Sequence, residues 1–429
     1  MNSQYVIGLE IDKVIEQDDH EKKSQYSNEV NLIRGLEEKG VQFHVITERK
    51  CVTDRNLRGY IARRNVTKYL KRLGLNFKSI QFCDAERSRQ DKLLACRKLG
   101  VDAMIECRWD TALFLAQNGI YVFFLANSCQ LNDTNTSYPN LFVVKGLGDI
   151  KTLLLSLPQP REKEFVKIDK EQLNNLTVEE KSEYFRLYQR HLQQQDFDKD
   201  RFIKSDRRFH ILFFLLKFPI RLLFCVKSYG SENIPFQNGF IIACNHCDSL
   251  DQYWLGMALG NRPFVGYAAK EIARTLRGRL FSYTGLGIFI DRDNSEDKKT
   301  ASEVMASYVA NNRTAFIFPE GTRKNKTEEG RALFQLRFKP GTVVLAQKIG
   351  TGILPVAVNV FGHTAFVRFG QIVYVTPNDS IDEKNRELEL AVAYLSYKNI
   401  SKYLTDKGRD AELEIVKTKY RAYVDEITS

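Results

Sequence analysis

Apolar positions along the first third of the chain fall into short runs separated by stretches of helical spacing. Residues 5–11 (YVIGLEI), 41–46 (VQFHVI), 79–82, 101–105 (VDAMI) and 120–125 (IYVFFL) read as buried strands. Residues 25–39 and 59–73 lie between them with helical periodicity. Strand–helix alternation with short connections predicts a parallel sheet covered on both faces. The same rhythm returns from 228 to about 376, with strands expected at 239–244, 263–268, 286–290, 314–318, 352–360 and 365–375. Helices are expected there at 250–259, 295–310 and 341–349, and the charged tail 380–429 also reads as helical.

Two segments break this pattern. Residues 166–203 are rich in Glu, Gln, Lys and Asp with few apolar anchors, which predicts a solvated helical connector. Residues 207–227 (RRFHILFFLLKFPIRLLFCVK) are the most apolar stretch, yet Lys217 and Arg221 fall inside it. Charge at the centre of a span is costly, and on a helix these two share one narrow face with His210. Pro219 removes a backbone bond and predicts a kink or split. Seven Lys/Arg stand between 201 and 228 against Asp206 alone. That is the pattern of a helix lying in a membrane interface; an internal helix packed on the following domain is the alternative. The expected organisation is therefore an α/β domain over 1–155, a helical connector over 156–206, an amphipathic helix over 207–227, a second α/β domain over 228–378, and a helical end over 379–429.

Composition narrows the partners. The chain has 429 residues, 43% hydrophobic and 27% charged, with a net charge of +11 from 64 basic and 53 acidic side chains. An excess of that kind favours an anionic partner: a phosphate-bearing substrate, anionic lipid or nucleic acid. No nucleic-acid recognition motif stands out, which leaves phosphate and lipid. The eight cysteines are scattered, and Cys244–Cys247 has no second pair to make a metal site, so a reducing, intracellular protein is expected. The sequence MNSQYVIGLEID shows no secretory pattern.

Four motifs follow strand ends in the second α/β segment, where open α/β sheets place their sites. In Asn245-His246-Cys247-Asp248-Ser249-Leu250-Asp251 a histidine at a strand end is followed five residues later by an aspartate. A carboxylate on one imidazole nitrogen fixes its tautomer and supports a general base. Equally, Asp248 reads as a helix cap with His246 merely polar. Gly285–Arg292 ends a buried strand in Asp291-Arg292, which serves either to grip phosphate or to form a local ion pair. Phe318-Pro319-Glu320-Gly321-Thr322-Arg323 is the most specific run, a turn carrying a carboxylate and a guanidinium. Ile353–Val358 has no reactive side chain and reads as a wall of the site or as plain core.

Taken together, residues 228 to about 376 resemble the glycerolipid acyltransferases, which include lysophosphatidic acid acyltransferases. That family carries an Asn-His-x-x-x-x-Asp block, a strand ending Ile-Asp-Arg, a Phe-Pro-Glu-Gly-Thr-Arg block and an Ile-x-Pro-Val strand, in this order. The resemblance implies His246 as general base, Asp251 as its orienting partner, and Arg292, Glu320, Gly321, Thr322 and Arg323 as acceptor and phosphate binders, with Lys270 adding to the phosphate pocket. It also implies a thioester donor on coenzyme A or acyl carrier protein as co-substrate, no cofactor or metal, and membrane lipids as partners at the cytoplasmic face. Cys247 and Asp248 occupy spacer positions often held by other residues.

Residues 5 to about 150 resemble the haloacid dehalogenase-like phosphohydrolases in a degenerate form. The family's Asp-x-Asp stands here as Glu10-Ile11-Asp12. Thr47 and Lys92 match its phosphate-contacting positions, and its acidic pair is Glu106-Cys107. A nucleophile displaced by one methylene, and an acidic ligand replaced by a thiol, both weaken magnesium-dependent phosphotransfer. A non-catalytic regulatory or docking domain is expected, with an active phosphatase as the alternative. The implied fold class is α/β: an N-terminal haloacid dehalogenase-like Rossmannoid sheet and a C-terminal acyltransferase domain, joined by a helical connector.

Overall fold

The computed structural model describes residues 5–11, 23–48, 57–83, 88–126, 140–156, 165–194, 199–235, 239–260, 262–324 and 334–429. The chain divides into two compact units, 1–190 and 191–429, and both are α/β.

Unit 1 alternates β1 (Val6–Leu9), α1 (Lys23–Glu37), β2 (Gln42–Glu48), α2 (Leu57–Arg72), β3 (Ser79–Cys83), α3 (Ser88–Lys98), β4 (Ala103–Glu106), α4 (Trp109–Gln117), β5 (Tyr121–Leu125), β6 (Leu141–Val144) and α5 (Leu147–Ser156). The six strands form one parallel sheet in the order β3-β2-β1-β4-β5-β6. Neighbouring residues of a strand point to opposite faces, and the chain uses this directly. Phe43, Val45, Ile105 and Phe123 enter one core, whereas Ile46, Met104 and Phe124 enter the other. Gly8 is required by its neighbours, since a Cβ there would lie 2.6 Å from the Met104 sulfur. Strand β6 was not expected from the pattern.

The segment expected to be a solvated connector folds as α6 (Lys170–Asn175) and α7 (Val178–Gln194). A capping box between Asp169 and Gln172 starts α6. Helix α7 is anchored rather than solvated: Phe185 is buried, and Arg186 Nη1 lies 2.7 Å from Asp102.

Unit 2 comprises α8 (Lys199–Leu223), β7 (Cys225–Tyr229), β8 (Ile241–Cys244), α9 (Asp251–Ala258), β9 (Phe264–Ala269), a 3-10 turn (Lys270–Arg274), α10 (Leu276–Thr284), β10 (Gly287–Ile290), α11 (Ser295–Ala310), β11 (Thr314–Ile317), α12 (Gly341–Ile349), β12 (Gly352–Phe361), β13 (Thr364–Phe369), β14 (Val373–Tyr374), α13 (Ile381–Asp406) and α14 (Asp410–Thr428). Its sheet runs β10-β9-β11-β8-β12-β13-β7, with β14 on β12. Pairing is parallel from β10 to β12, antiparallel between β12 and β13, and parallel again to β7. The stretch expected as one strand over 365–375 is divided between β13 and β14.

Helix α8 differs from expectation in two ways. It starts at Lys199, and it continues through position 219 without the split that Pro219 predicts. One missing backbone bond is outweighed by tertiary packing along the helix. Phe209 is buried, Phe213 packs on Gly256, Ser205 Oγ donates to the Thr284 carbonyl at 2.5 Å, and the buried Arg313 reaches Asp206 at 3.0 Å. The other side stays open: Phe214 is 77% exposed and Leu222 71%. The last residues of the apolar run, 225–227, leave the helix and begin β7 alongside β13.

Candidate active site

Strands β10, β9, β11 and β8 are parallel neighbours, so their carboxyl ends share one edge of the sheet. Each of the first three motifs lies just beyond one of those ends, and this brings together residues far apart in sequence.

Beyond β8, Asn245 is buried and behaves like one more rung of the ladder. Its side chain accepts from Val358 N at 2.8 Å and donates to Val358 O at 3.1 Å. This pins the peptide that presents His246. Sequence reasoning gave Asn245 no role, although it opens the first motif. His246 Nδ1 lies 3.0 Å from Asp251 Oδ2, the same oxygen that accepts from Cys247 N and Asp248 N at 2.8 Å each. Asp251 is fully buried as the first residue of α9. Burial raises its carboxyl above the ordinary range, opposed by the bonds from His246 and the two amides. Asp248 does not cap α9; it accepts from Leu250 N at 3.3 Å within the turn. The His246 ring lies almost flat on Phe318, centroids 3.7 Å apart and planes 13° from parallel. Phe318 is a second residue whose role the sequence did not disclose.

Beyond β11, Gly321 N donates to Phe318 O at 3.0 Å and Gly321 takes φ +73°, a region that favours glycine. Glu320 turns inward, is buried, and accepts from His246 N at 3.0 Å. Burial pushes its carboxyl up to about 8. Glu320 therefore ties the turn to the His246 backbone and is not among the residues lining the cavity, contrary to the acceptor contact that the resemblance implies. Beyond β10, Arg292 Nη1 donates to Gly321 O at 2.9 Å. Two turns from different strands are thereby locked together.

A cavity of about 250 Å³ lies in front of these groups. His246, Arg292, Thr322 and Arg323 line it, and its remaining wall is largely apolar, with Phe264, Gly266, Ile272, Phe281, Leu286, Phe316 and Phe318. Lys270 is exposed and does not line it, although Ala269 and Ile272 do. Residues 353–358 do not form a wall either. They pair with β8 and, through Val358, hold Asn245. The arrangement offers a base, two guanidiniums and an apolar lining in one space. Among the described residues no cluster of ligands suits a metal ion.

Unit 1 also assembles its expected residues. Glu10, Thr47 and Glu106 stand at the carboxyl ends of β1, β2 and β4, and all are buried with Lys92 of α3. Asp12 lies outside the described residues. Lys92 Nζ is 2.6 Å from Glu10 and 2.7 Å from Glu106. Thr47 donates to Glu10 at 2.8 Å, and Arg108 pairs with Glu48. Burial alone would lower the Lys92 ammonium, but the fields of Glu106 and Glu10 hold it well above its ordinary value. Burial lifts Glu10 to about 7 against the pull of Lys92. An ammonium already occupies the contact positions on both carboxylates that a magnesium ion would need. The described residues therefore do not fit a magnesium site.

Residues 225–359 match the Acyltransferase family model. A 1-acyl-sn-glycerol-3-phosphate acyltransferase of Borreliella burgdorferi is 31% identical over 157 residues, covering 36% of this chain and 60% of that protein. The enzyme of the same name from Bacillus subtilis is 28% identical over 151 residues, covering 33% of this chain and 66% of that protein. The match thus spans less than two thirds of either relative. The crystal structure of the 1-acyl-sn-glycerophosphate acyltransferase from Thermotoga maritima aligns over 58% of this chain and 88% of its own, at 20% identity and a TM-score of 0.34. The segment that builds the His246 cavity is the segment the Acyltransferase family model matches.

Proposed function

We propose that this protein is an O-acyltransferase that moves a fatty acyl group from an acyl-CoA or acyl carrier protein thioester to the free hydroxyl of a lysophosphatidic acid-type acceptor. The carrying observation is that His246, paired with Asp251, opens on the same cavity as Arg292 and Arg323. With Nδ1 engaged, proton uptake falls to Nε2. As the acceptor oxygen attacks the thioester carbonyl carbon, Nε2 takes the hydroxyl proton and the Asp251 carboxylate supports the imidazolium. The tetrahedral intermediate then expels thiolate, the C–S bond breaks, and the imidazolium returns its proton to sulfur. Arg292 and Arg323 offer paired donors for the acceptor phosphate, and the apolar wall suits an acyl chain. The test is product formation from purified protein, an acyl thioester and 1-acyl-glycerol-3-phosphate. Diacyl product should form, and Arg323→Ala should raise the acceptor KM by about tenfold, the loss of one charge-assisted pair. No product with this acceptor, with glycerol phosphate or with a neutral lysolipid would end the reading. Unit 1 is read as non-catalytic because the Lys92 ammonium bridges Glu10 and Glu106; magnesium-dependent phosphate release by the same preparation would refute that.

We further propose that the enzyme works on the cytoplasmic face of a membrane, held peripherally through α8. No described helix is long and apolar enough to cross a membrane. Exposed Phe214, Leu215, Leu222 and Leu223 on α8 support insertion into the interface. Replacing Phe214 and Leu222 together by serine should cut flotation with anionic vesicles at least about tenfold, from the apolar area withdrawn. Undiminished flotation would reject α8 as the anchor.

A further inference from the structure

The matched acyltransferase segment ends at 359, yet the site depends on contacts from beyond it. Segment 334–340 lies against the turn Pro319–Arg323. Lys339 N donates to Pro319 O at 3.0 Å, and Lys324 Nζ donates to Phe334 O at 2.7 Å. The Lys339 side chain covers Gly321, where a Cβ would stand 3.1 Å from its ammonium. Lys324 N in turn donates to the His246 carbonyl at 2.9 Å.

The other side of that segment is gripped by the C-terminal hairpin. Glu389 of α13 is buried and accepts from Phe338 N at 3.2 Å, from Arg337 Nε at 2.8 Å and from Tyr423 of α14 at 2.7 Å. Asn385 Nδ2 donates to Phe338 O at 3.0 Å. Phe334 packs with Ala393, Tyr423 and Ile427. A buried carboxylate is costly unless its oxygens are satisfied, so each bond on Glu389 supports the others. Backbone amide, guanidinium and phenol are thereby held in one fixed arrangement.

We propose that Glu389 is a positioning residue through which the α13–α14 hairpin sets the affinity for the phosphate-bearing acceptor. It does so by holding segment 334–340 against the turn Pro319–Arg323. The inference rests on the transferase reading for its kinetic consequence and on the contacts alone for its structural one. Glu389 does not line the His246 cavity. Its loss should therefore act on the acceptor and leave the donor alone.

The test compares wild type with Glu389→Ala, Glu389→Gln and Tyr423→Phe by steady-state kinetics and by hydrogen exchange of peptides spanning 318–324. In Glu389→Ala the acceptor KM should rise about tenfold, with donor KM unchanged and kcat within about twofold, because a misplaced binding group weakens the complex it orients. Exchange over 318–324 should accelerate. Glu389→Gln keeps one oxygen for Phe338 N and should restore most of the affinity. Tyr423→Phe should move both readouts in the same direction, by less. Unchanged exchange in Glu389→Ala, or a fall in kcat that tracks lost folded protein at constant acceptor KM, would overturn the proposal. Should the wild type form no product with any acceptor, the transferase reading falls, while the exchange comparison still decides whether the hairpin holds the turn.

Discussion

Replacing His246 by alanine is expected to lower acyl transfer roughly 10³- to 10⁴-fold, the range typical of a positioned general base. Several features make the loss this large. An alcohol is a poor nucleophile at neutral pH, and among the cavity residues His246 is the group suited to take its proton. Its orientation is fixed by Asp251 at 3.0 Å and by the Phe318 ring at 3.7 Å, so removing it removes a base already aimed at the cavity. The fold should survive. His246 takes no part in the hydrophobic core, and its backbone bonds to Glu320 and Lys324 do not depend on the side chain. A product assay beside a thermal melt checks both halves. Transfer within about tenfold of wild type, with the melt unchanged, would remove His246 from the mechanism.

The second large effect falls on unit 1 and on stability. Lys92→Met should destabilise that unit by about 3–5 kcal/mol, the usual cost of breaking a buried ion pair from one side. Glu10 and Glu106 are both buried and would lose their common cation. A domain's whole stability is only about 5–15 kcal/mol, so the variant approaches global unfolding of the unit. The cost should also depend on pH. Glu10 sits at about 7 in the fold and lies nearer 4.5 when unfolded. The folded state therefore binds more protons between those values, and the stability that Glu10 contributes is present at acid pH and lost as pH rises through about 7. Without Lys92 the Glu10 carboxyl moves further up, so the deficit should be smaller at pH near 5 than near 8. Trp109 lies in unit 1 and Trp254 in unit 2. Urea unfolding followed by Trp109 fluorescence in a Trp254→Phe background isolates the effect. A pH-independent change below about 1 kcal/mol, ordinary for an exposed pair, would show that the cluster is not an ion pair.

The strand-end motifs were legible because each is local: a run of apolar residues, then three or four polar ones at fixed spacing. Parallel strand order then does the rest, placing Asn245–Asp251, Asp291–Arg292 and Phe318–Arg323 on one sheet edge. What the sequence did not disclose depends on contacts distant along the chain. Asn245 owes its role to Val358, and the inward turn of Glu320 is settled by the His246 amide. Helix α8 continues past Pro219, and its N-terminal half is held by distant partners such as Arg313. Strand β7 was hidden at the end of an apolar run and is specified by pairing with β13. The cluster around Lys92 was readable as residues, but its mutual neutralisation was visible only in three dimensions.

The near-parallel stack of the His246 imidazole on Phe318 has a thermodynamic meaning. A ring stacked on one face and tethered at Nδ1 has little freedom to turn over, so the fold itself settles which nitrogen is left for the cavity. Little rotational freedom is left for a bound reactant to remove, and the aromatic face beneath the ring would favour the positive charge that the proposed base role requires.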